Sequence, residues 1–223
     1  MANEVFIDIG NSNTKWQYQG SFFEVATKEF NVKKLPQVSK IWASNVCNNF
    51  DIEGDLNFIT LKSEKLYKGL INSYKDPTLL GSDRWFAMIA SYEMSINNSF
   101  IVIDIGSAVT IDLVDNKGLH HGGIIFPGLE NIRQIFGYFP TSINANISGI
   151  GQTTEDAWTI GTLSLIVNNI NCKYNELRKL SPGIKVFVTG GGYFQVQQYL
   201  NFIHEYHKNL VLDGLELYVN NMG

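Results

Sequence analysis

The chain is poor in cysteine and proline, has no excess of positive charge and no long apolar run, and each shortage closes off a class of protein. Its two cysteines, Cys47 and Cys172, lie far apart and outside any Cys-x-x-Cys pair. Reduced thiols are therefore expected, with neither a disulfide framework nor a zinc site. Lysine and arginine number 17 against 21 aspartates and glutamates, a net charge of −4. There is no basic block to form an electrostatic footprint on DNA or RNA. No stretch approaches the roughly 18 apolar residues of a membrane span. Met1 leads straight into a strand pattern, without the charged and apolar regions of a leader, so a soluble cytoplasmic protein is expected.

What the chain does have is glycine and aromatic residues: 20 glycines and 13% aromatics suit an α/β protein with many tight turns. Its 223 residues fit one large domain or two of about 100 residues each. One stretch decides for two. Val5 to Lys15 is an apolar run that meets Asp8 and breaks into a small polar turn. Its pattern Ile7-Asp8-Ile9-Gly10-x-x-x-Thr14 returns as Ile103-Asp104-Ile105-Gly106-x-x-x-Thr110. A strand ending in Asp-x-Gly lets backbone approach a ligand closely and offers N–H groups and short side chains to phosphate oxygens, while Lys15 adds a point charge. Two copies imply two matching lobes, 1–97 and 98–223, with a cleft that would hold a polyphosphate such as that of ATP.

Taken in order, Val5 to Ala26 reads as a three-stranded antiparallel meander turning at Gly20, the opening of an RNase-H-like lobe. Lys40 to Ser44 and Asn57 to Leu61 are further strands. The acidic segment Asp51, Glu53, Asp55 lacks a glutamate at the twelfth position, which is Lys62, and reads as a solvated turn instead of a calcium loop. Trp85, Met88, Ile89 and Tyr92 recur at helical spacing, so a helix starts near Ser82 with Asp83 and Arg84 in its first turn. Alone, Ser82 or Asp83 is a helix cap.

The meander repeats over Ser99 to Phe126. A helix is expected over Leu129 to Phe139, a flexible segment over Pro140 to Gly151, and a long helix after Thr154, with Ile160, Leu163, Val167 and Ile170 on its core face. Lys185 to Thr189 is a strand, and Gly190, Gly191 and Gly192 open a helix running to about Leu200. A strand near Leu210 to Leu212 and a helix from Gly214 to Asn220 then complete the second lobe. His120, His121, His204 and His207 read as surface residues.

These motifs, in this order and spacing, resemble those of the type III pantothenate kinase family, also called the Bvg accessory factor family, within the acetate and sugar kinase, Hsp70 and actin superfamily. Asp8, Gly10, Asn11, Asn13, Thr14 and Lys15 match its first phosphate motif, and Gly81, Ser82, Asp83 and Arg84 its pantothenate motif. Asp104, Gly106, Ser107, Ala108, Thr110 and Asp112 match the second phosphate motif, and Gly190 to Gly192 its adenosine-side glycines. Gly122-Gly123, Pro127-Gly128 and Thr154-x-x-Ala157-x-x-x-Gly161 also fit. Ser107 replaces the family's usual threonine and keeps its hydroxyl.

The resemblance implies an α/β fold of two actin-like ATPase lobes, each with a mixed sheet flanked by helices. It implies ATP-dependent phosphorylation of pantothenate, with Asp83 as general base, Arg84 clamping the substrate and Tyr74 beside it. It further implies Mg2+ accompanying ATP, a potassium or ammonium ion at Asp104, and a homodimer in which Thr154 reaches the substrate of the neighbouring subunit. Two rivals are another small-molecule kinase of the superfamily, which would lack Gly81 to Arg84 with Tyr74, and a non-catalytic regulator, which would have no use for Asp83 beside Arg84.

Overall fold

The duplicated segment supplies the central strand of each of two sheets in the computed structural model, which describes residues 3–47, 50, 57–142, 147 and 149–222. The first sheet contains β1 (Glu4–Ile9), β2 (Asn13–Tyr18), β3 (Ser21–Ala26), β4 (Lys40–Asn45) and β5 (Phe58–Leu61) in the order β3-β2-β1-β4-β5. The meander β1-β2-β3 is antiparallel, whereas β4 lies parallel to β1 and β5 parallel to β4. A parallel neighbour requires a crossover. The one between β3 and β4 passes through short 3-10 turns at Thr27–Glu29 and Val32–Lys34. Next come the two-residue strands β6 (Leu66–Tyr67) and β7 (Leu70–Ile71), a hairpin too short to show in the sequence pattern, and helix α1 (Ser82–Ser95).

The second sheet contains β8 (Phe100–Ile105), β9 (Ala108–Val114), β10 (His120–Pro127), β11 (Lys185–Thr189) and β12 (Glu205–Tyr206). Its order, β10-β9-β8-β11-β12, places the first to fifth strands as in the first sheet. Here the crossover to the fourth strand carries α2 (Leu129–Ile135) and α3 (Thr154–Leu180). A single turn, α4 (Tyr193–Val196), precedes β12, and α5 (Leu210–Asn220) ends the described fold.

The two central strands bury the same positions. Val5, Phe6, Ile7 and Ile9 are buried around half-buried Asp8, as Ile101, Val102, Ile103 and Ile105 are around Asp104. A strand covered on both faces reads as a near-continuous apolar run, and the aspartate is the polar break near its end.

The chain packs as two units, one formed by Met1–Phe100, Val114–Gly122 and Asn209–Gly223, the other by Ile101–Leu113 and Gly123–Lys208. In the first, Val5, Ile7, Ile9, Trp16, Phe30, Ile41 and Ala43 form a core around the sheet. Helix α1 buries Trp85, Phe86, Met88 and Ile89, and Phe86 meets Tyr218 of α5 edge-on at 5.6 Å between ring centroids. In the second, α3 lays Leu163, Ile166, Val167 and Ile170 against Ile103, Ile105, Ile111 and Val188, while Ile160 is half-buried.

Several sequence expectations need correction. The strand expected near Leu210 to Leu212 is the first turn of α5, which packs in the first unit with α1 instead of completing the second lobe. Gly214 lies against the Phe86 carbonyl with no room for a Cβ, and this close approach fixes the helix. The helix expected over 129–139 ends at Ile135, and the one after Gly192 is a single turn followed by a 3-10 turn at Gln197–Tyr199. His120 is fully buried. His204 and His207 are half-buried, with the His204 ring 3.1 Å from the Tyr193 hydroxyl. The acidic turn at 51–55 and residues 143–146 and 148 of the expected flexible segment lie outside the described residues. No described helix is long and apolar enough to cross a membrane.

Candidate active site

In the first unit the turn between β1 and β2 is tied down from beneath. The Gly10 N–H donates to the Asn13 carbonyl at 3.1 Å, where a Cβ on Gly10 would come within 3.0 Å of the same oxygen. The Thr27 hydroxyl donates to the Gly10 carbonyl at 2.7 Å and shares a 3.1 Å hydrogen bond with the Thr14 hydroxyl. Thr14 is thus buried and braces the turn, while Asn11, Ser12 and Asn13 stay exposed at its tip.

Strand register links this turn to the start of α1. Lys15 stands opposite Asp8 on β2, and Ser44 stands opposite Asp8 on β4, so three polar side chains line one row across the sheet. The Ser44 hydroxyl lies 2.9 Å from that of Ser82, and both are buried. Ser82 therefore anchors the first turn of α1 to the sheet. Beside it, a Cβ on Gly81 would come within 3.8 Å of Val46, whose N–H donates to the Ile9 carbonyl at 3.1 Å. Asp83 and Arg84 follow, at the same end of the sheet as Gly10.

Asp83 is half-buried, and its carboxylate accepts the Arg84 N–H at 2.7 Å. Arg84 is buried and donates through Nη1 to the Tyr74 hydroxyl at 3.2 Å, with its guanidinium carbon 5.9 Å from the Tyr74 ring centroid. The loop carrying Tyr74 hangs on buried Asn72. The Asn72 side chain accepts the Tyr74 N–H at 3.0 Å and donates to the Glu64 and Pro77 carbonyls at 3.2 and 3.3 Å. Asp76 closes the loop by accepting from the Thr78 hydroxyl and N–H, bonds that hold its carboxyl below the usual aspartate value.

In the second unit the equivalent turn is built by close backbone approach. The Gly106 N–H donates to the Ala108 carbonyl at 3.0 Å, and Thr110 is buried as Thr14 is. The Ser107 carbonyl accepts from the Gly128 N–H at 2.7 Å and the Asn131 side chain at 2.9 Å. Gly128 lies so near the Gly106 carbonyl that a Cβ would overlap it. On the other side, Gly190 has a φ of 97°, and its Cβ position lies 2.5 Å from an Asp104 carboxylate oxygen and hard against the Ile105 carbonyl. That carbonyl accepts the Gly192 N–H at 2.8 Å. Gly191 is exposed. Ser107 is half-buried and Ala108 exposed at the turn's tip.

Thr154 is exposed at the first position of α3, whose cap is Thr153, its hydroxyl accepting the Asp156 N–H at 3.1 Å. The half-buried Asp104 carboxylate, 2.5 Å from the Cβ position of Gly190, is an oxygen donor of the kind that hard cations take. Among the described residues no group of three or more His, Cys, Asp or Glu gathers as a metal cage.

The structure thus joins Asp8, Gly10, Thr14 and Lys15 to Gly81 through Arg84 and Tyr74 in one unit, and Asp104 through Thr110 to Gly190 through Gly192 in the other. Sequence reasoning missed Thr27, Ser44, Asn72, His120 and Asn131. Thr27, Ser44, His120 and Asn131 act through residues distant in the chain, and Asn72 through three bonds within its own loop, so none of them leaves a local motif.

A family model described as type III pantothenate kinase matches residues 36–176. A curated type III pantothenate kinase from Alcanivorax borkumensis is 30% identical, covering 95% of this chain and 96% of its own length. Another from Phocaeicola vulgatus is 29% identical, with 95% of each chain covered. Among solved structures, a Campylobacter jejuni protein assigned to the Baf family of transcriptional activators aligns over 97% of both chains at 25% identity and a TM-score of 0.68. A Sinorhizobium meliloti protein assigned as a 2-dehydro-3-deoxygalactonokinase has a TM-score of 0.62 at 12% identity and shares the fold.

Proposed function

We infer how this chain works from the family to which it belongs, the type III pantothenate kinases, which phosphorylate pantothenate with ATP at the first step of coenzyme A biosynthesis. The chain is an ATP-dependent pantothenate kinase with the mixed α/β architecture of the sugar kinase and actin-like ATPase folds.

In our reading Asp83 is the general base. It accepts the proton of pantothenate's primary hydroxyl as that oxygen attacks the γ-phosphate and the bond to the β-phosphate oxygen breaks. Phosphoryl transfer asks little of the protein beyond position and charge, so a carboxylate in the first turn of a helix, facing the positive end of the helix dipole, suffices. Arg84 pairs with the acceptor and Tyr74 flanks it. The Asp8-to-Lys15 and Gly106-to-Thr110 turns bind phosphate through exposed N–H groups and short polar side chains, with Thr14 and Thr110 bracing them. Gly190 to Gly192 leave bare backbone for the adenosine.

Asp104 and neighbouring carbonyls would hold a potassium or ammonium ion, and Mg2+ would come with the nucleotide. Such cations neutralise phosphate charge as the transition state forms. Two chains would complete each site, with Thr154 reaching the acceptor of its neighbour, and the cytoplasm is the expected compartment.

The observation that carries this reading is the Ser44–Ser82 hydrogen bond of 2.9 Å, which fixes the start of α1, and hence Asp83, to the strand beside Asp8. A coupled kinase assay tests it: phosphate transfer to pantothenate should require ATP and rise with added potassium. Transfer to a sugar in place of pantothenate would overturn it.

A further inference from the structure

We propose that His120 is a positioning residue for acceptor binding, holding the plane of the Tyr74 ring against which Arg84 rests; this rests on the reading that Tyr74 and Arg84 bind pantothenate. The His120 and Tyr74 rings lie 6.1 Å apart between centroids at 15°, an offset stack within the range of favourable aromatic pairs. His120 is fully buried at the first position of β10, so its ring is backing and not itself a surface for a ligand. Tyr74 is half-buried, and its side chain also meets Arg84, through the hydroxyl and the ring.

The described hydrogen bonds of Tyr74 hold its main chain and its tip. Asn72 fixes the Tyr74 main chain through its N–H. Arg84 touches the hydroxyl at the far end and lies 5.9 Å from the ring centroid, but it is itself the group to be aimed. A tyrosine held at its backbone and its tip keeps rotation of the ring about the Cβ–Cγ axis. The flat His120 ring removes that freedom.

The hairpin carrying His120 is clamped to the segment carrying Tyr74. The Ile71 N–H donates to the Gly118 carbonyl at 2.8 Å, Ile71 forms a parallel bridge with Leu119, and Gly118 lies so close to Gly69 that a Cβ would overlap the Gly69 carbonyl. At the hairpin's tip, Asp115 accepts the N–H groups of Lys117 and Leu119, both at 2.9 Å, and lies 2.9 Å from the His121 ring. The two rings are therefore brought together by backbone contacts on both sides, and the stack passes this rigidity to Arg84.

The test is steady-state kinetics on the full chain, with pantothenate and ATP varied separately, for wild type, His120→Gln, His120→Phe and Arg84→Ala. The expected result for His120→Gln is a KM for pantothenate raised about tenfold, with kcat and the KM for ATP changed by less than about twofold, the pattern of lost acceptor binding. His120→Phe keeps a flat ring and should stay within about threefold of wild type on all three constants. Arg84→Ala should raise the pantothenate KM further.

A folded His120→Gln with the wild-type pantothenate KM overturns the proposal. So does one that loses kcat and both KM values together, since that is general damage, or a His120→Phe no better than Gln. If Arg84→Ala leaves the pantothenate KM unchanged, the acceptor reading falls and takes this role with it. If Arg84→Ala raises that KM while His120→Gln does not, the role of His120 alone falls.

Discussion

Gly190 presses so closely on Asp104 that a Cβ at position 190 would lie 2.5 Å from the Asp104 carboxylate, while its φ of 97° is one that side chains rarely adopt. Both faults would strike Gly190→Ala together. We expect it to lose about 2 kcal/mol or more of stability and to raise the KM for ATP. At Gly191 a Cβ would meet no described atom within 4 Å, so Gly191→Ala should leave the melting temperature unchanged. Thermal unfolding of the pair, with ATP kinetics, separates the two glycines.

Asp83→Asn keeps the shape of the first turn of α1 and removes the proton acceptor. Its kcat should fall at least about a hundredfold, with an unchanged circular dichroism spectrum. Wild-type turnover in that variant would exclude Asp83 as the base.

Thr27→Val tests the brace under the first turn. The hydroxyl it removes donates to the Gly10 carbonyl at 2.7 Å and meets the Thr14 hydroxyl at 3.1 Å. A loss of about 1–3 kcal/mol is expected, since the buried Thr14 hydroxyl loses its partner. If the turn holds phosphate, the KM for ATP should rise while that for pantothenate does not.

Asp115 provides a pH test. Burial pushes its carboxyl up, but hydrogen bonds from His121, Leu119 and Lys117 and the charge of His121 outweigh this and hold it below the usual aspartate value. A carboxyl lowered on folding stabilises the protein above the unfolded value of about 3.9, and that stabilisation disappears as pH falls through the folded value. The gap in melting temperature between wild type and Asp115→Ala should therefore be present near pH 5 and narrow below about pH 4. A gap that widens with acid would contradict this.

The parts of the fold legible in the sequence were those with local periodicity or an internal echo. The Asp8 and Asp104 segments predicted two matching meanders, and two sheets of the same strand order followed. Trp85, Met88 and Ile89 predicted α1, and all three are fully buried. Leu210-Val211-Leu212 misled because a three-residue apolar run carries no period. Only packing against α1, with Gly214 on the Phe86 carbonyl, decides for helix. Within the candidate site, the motif residues were visible, whereas their supports were not. Thr27 lies 17 residues from Gly10, and Ser44 lies 38 from Ser82. No short window contains either pair. His120 was invisible for the same reason, because its burial comes from a hairpin docked on a distant loop.

Because α5 supplies part of the covering for α1, the first unit draws on segments that lie before and after the second unit in the chain. During translation its early segments must wait, with the apolar face of α1 uncovered, until residues 210–220 emerge from the ribosome. The second unit lies wholly upstream of that point and does not draw on this helix. A stalled or nicked chain lacking this last helix would expose Phe86 and its neighbours to chaperones and proteases.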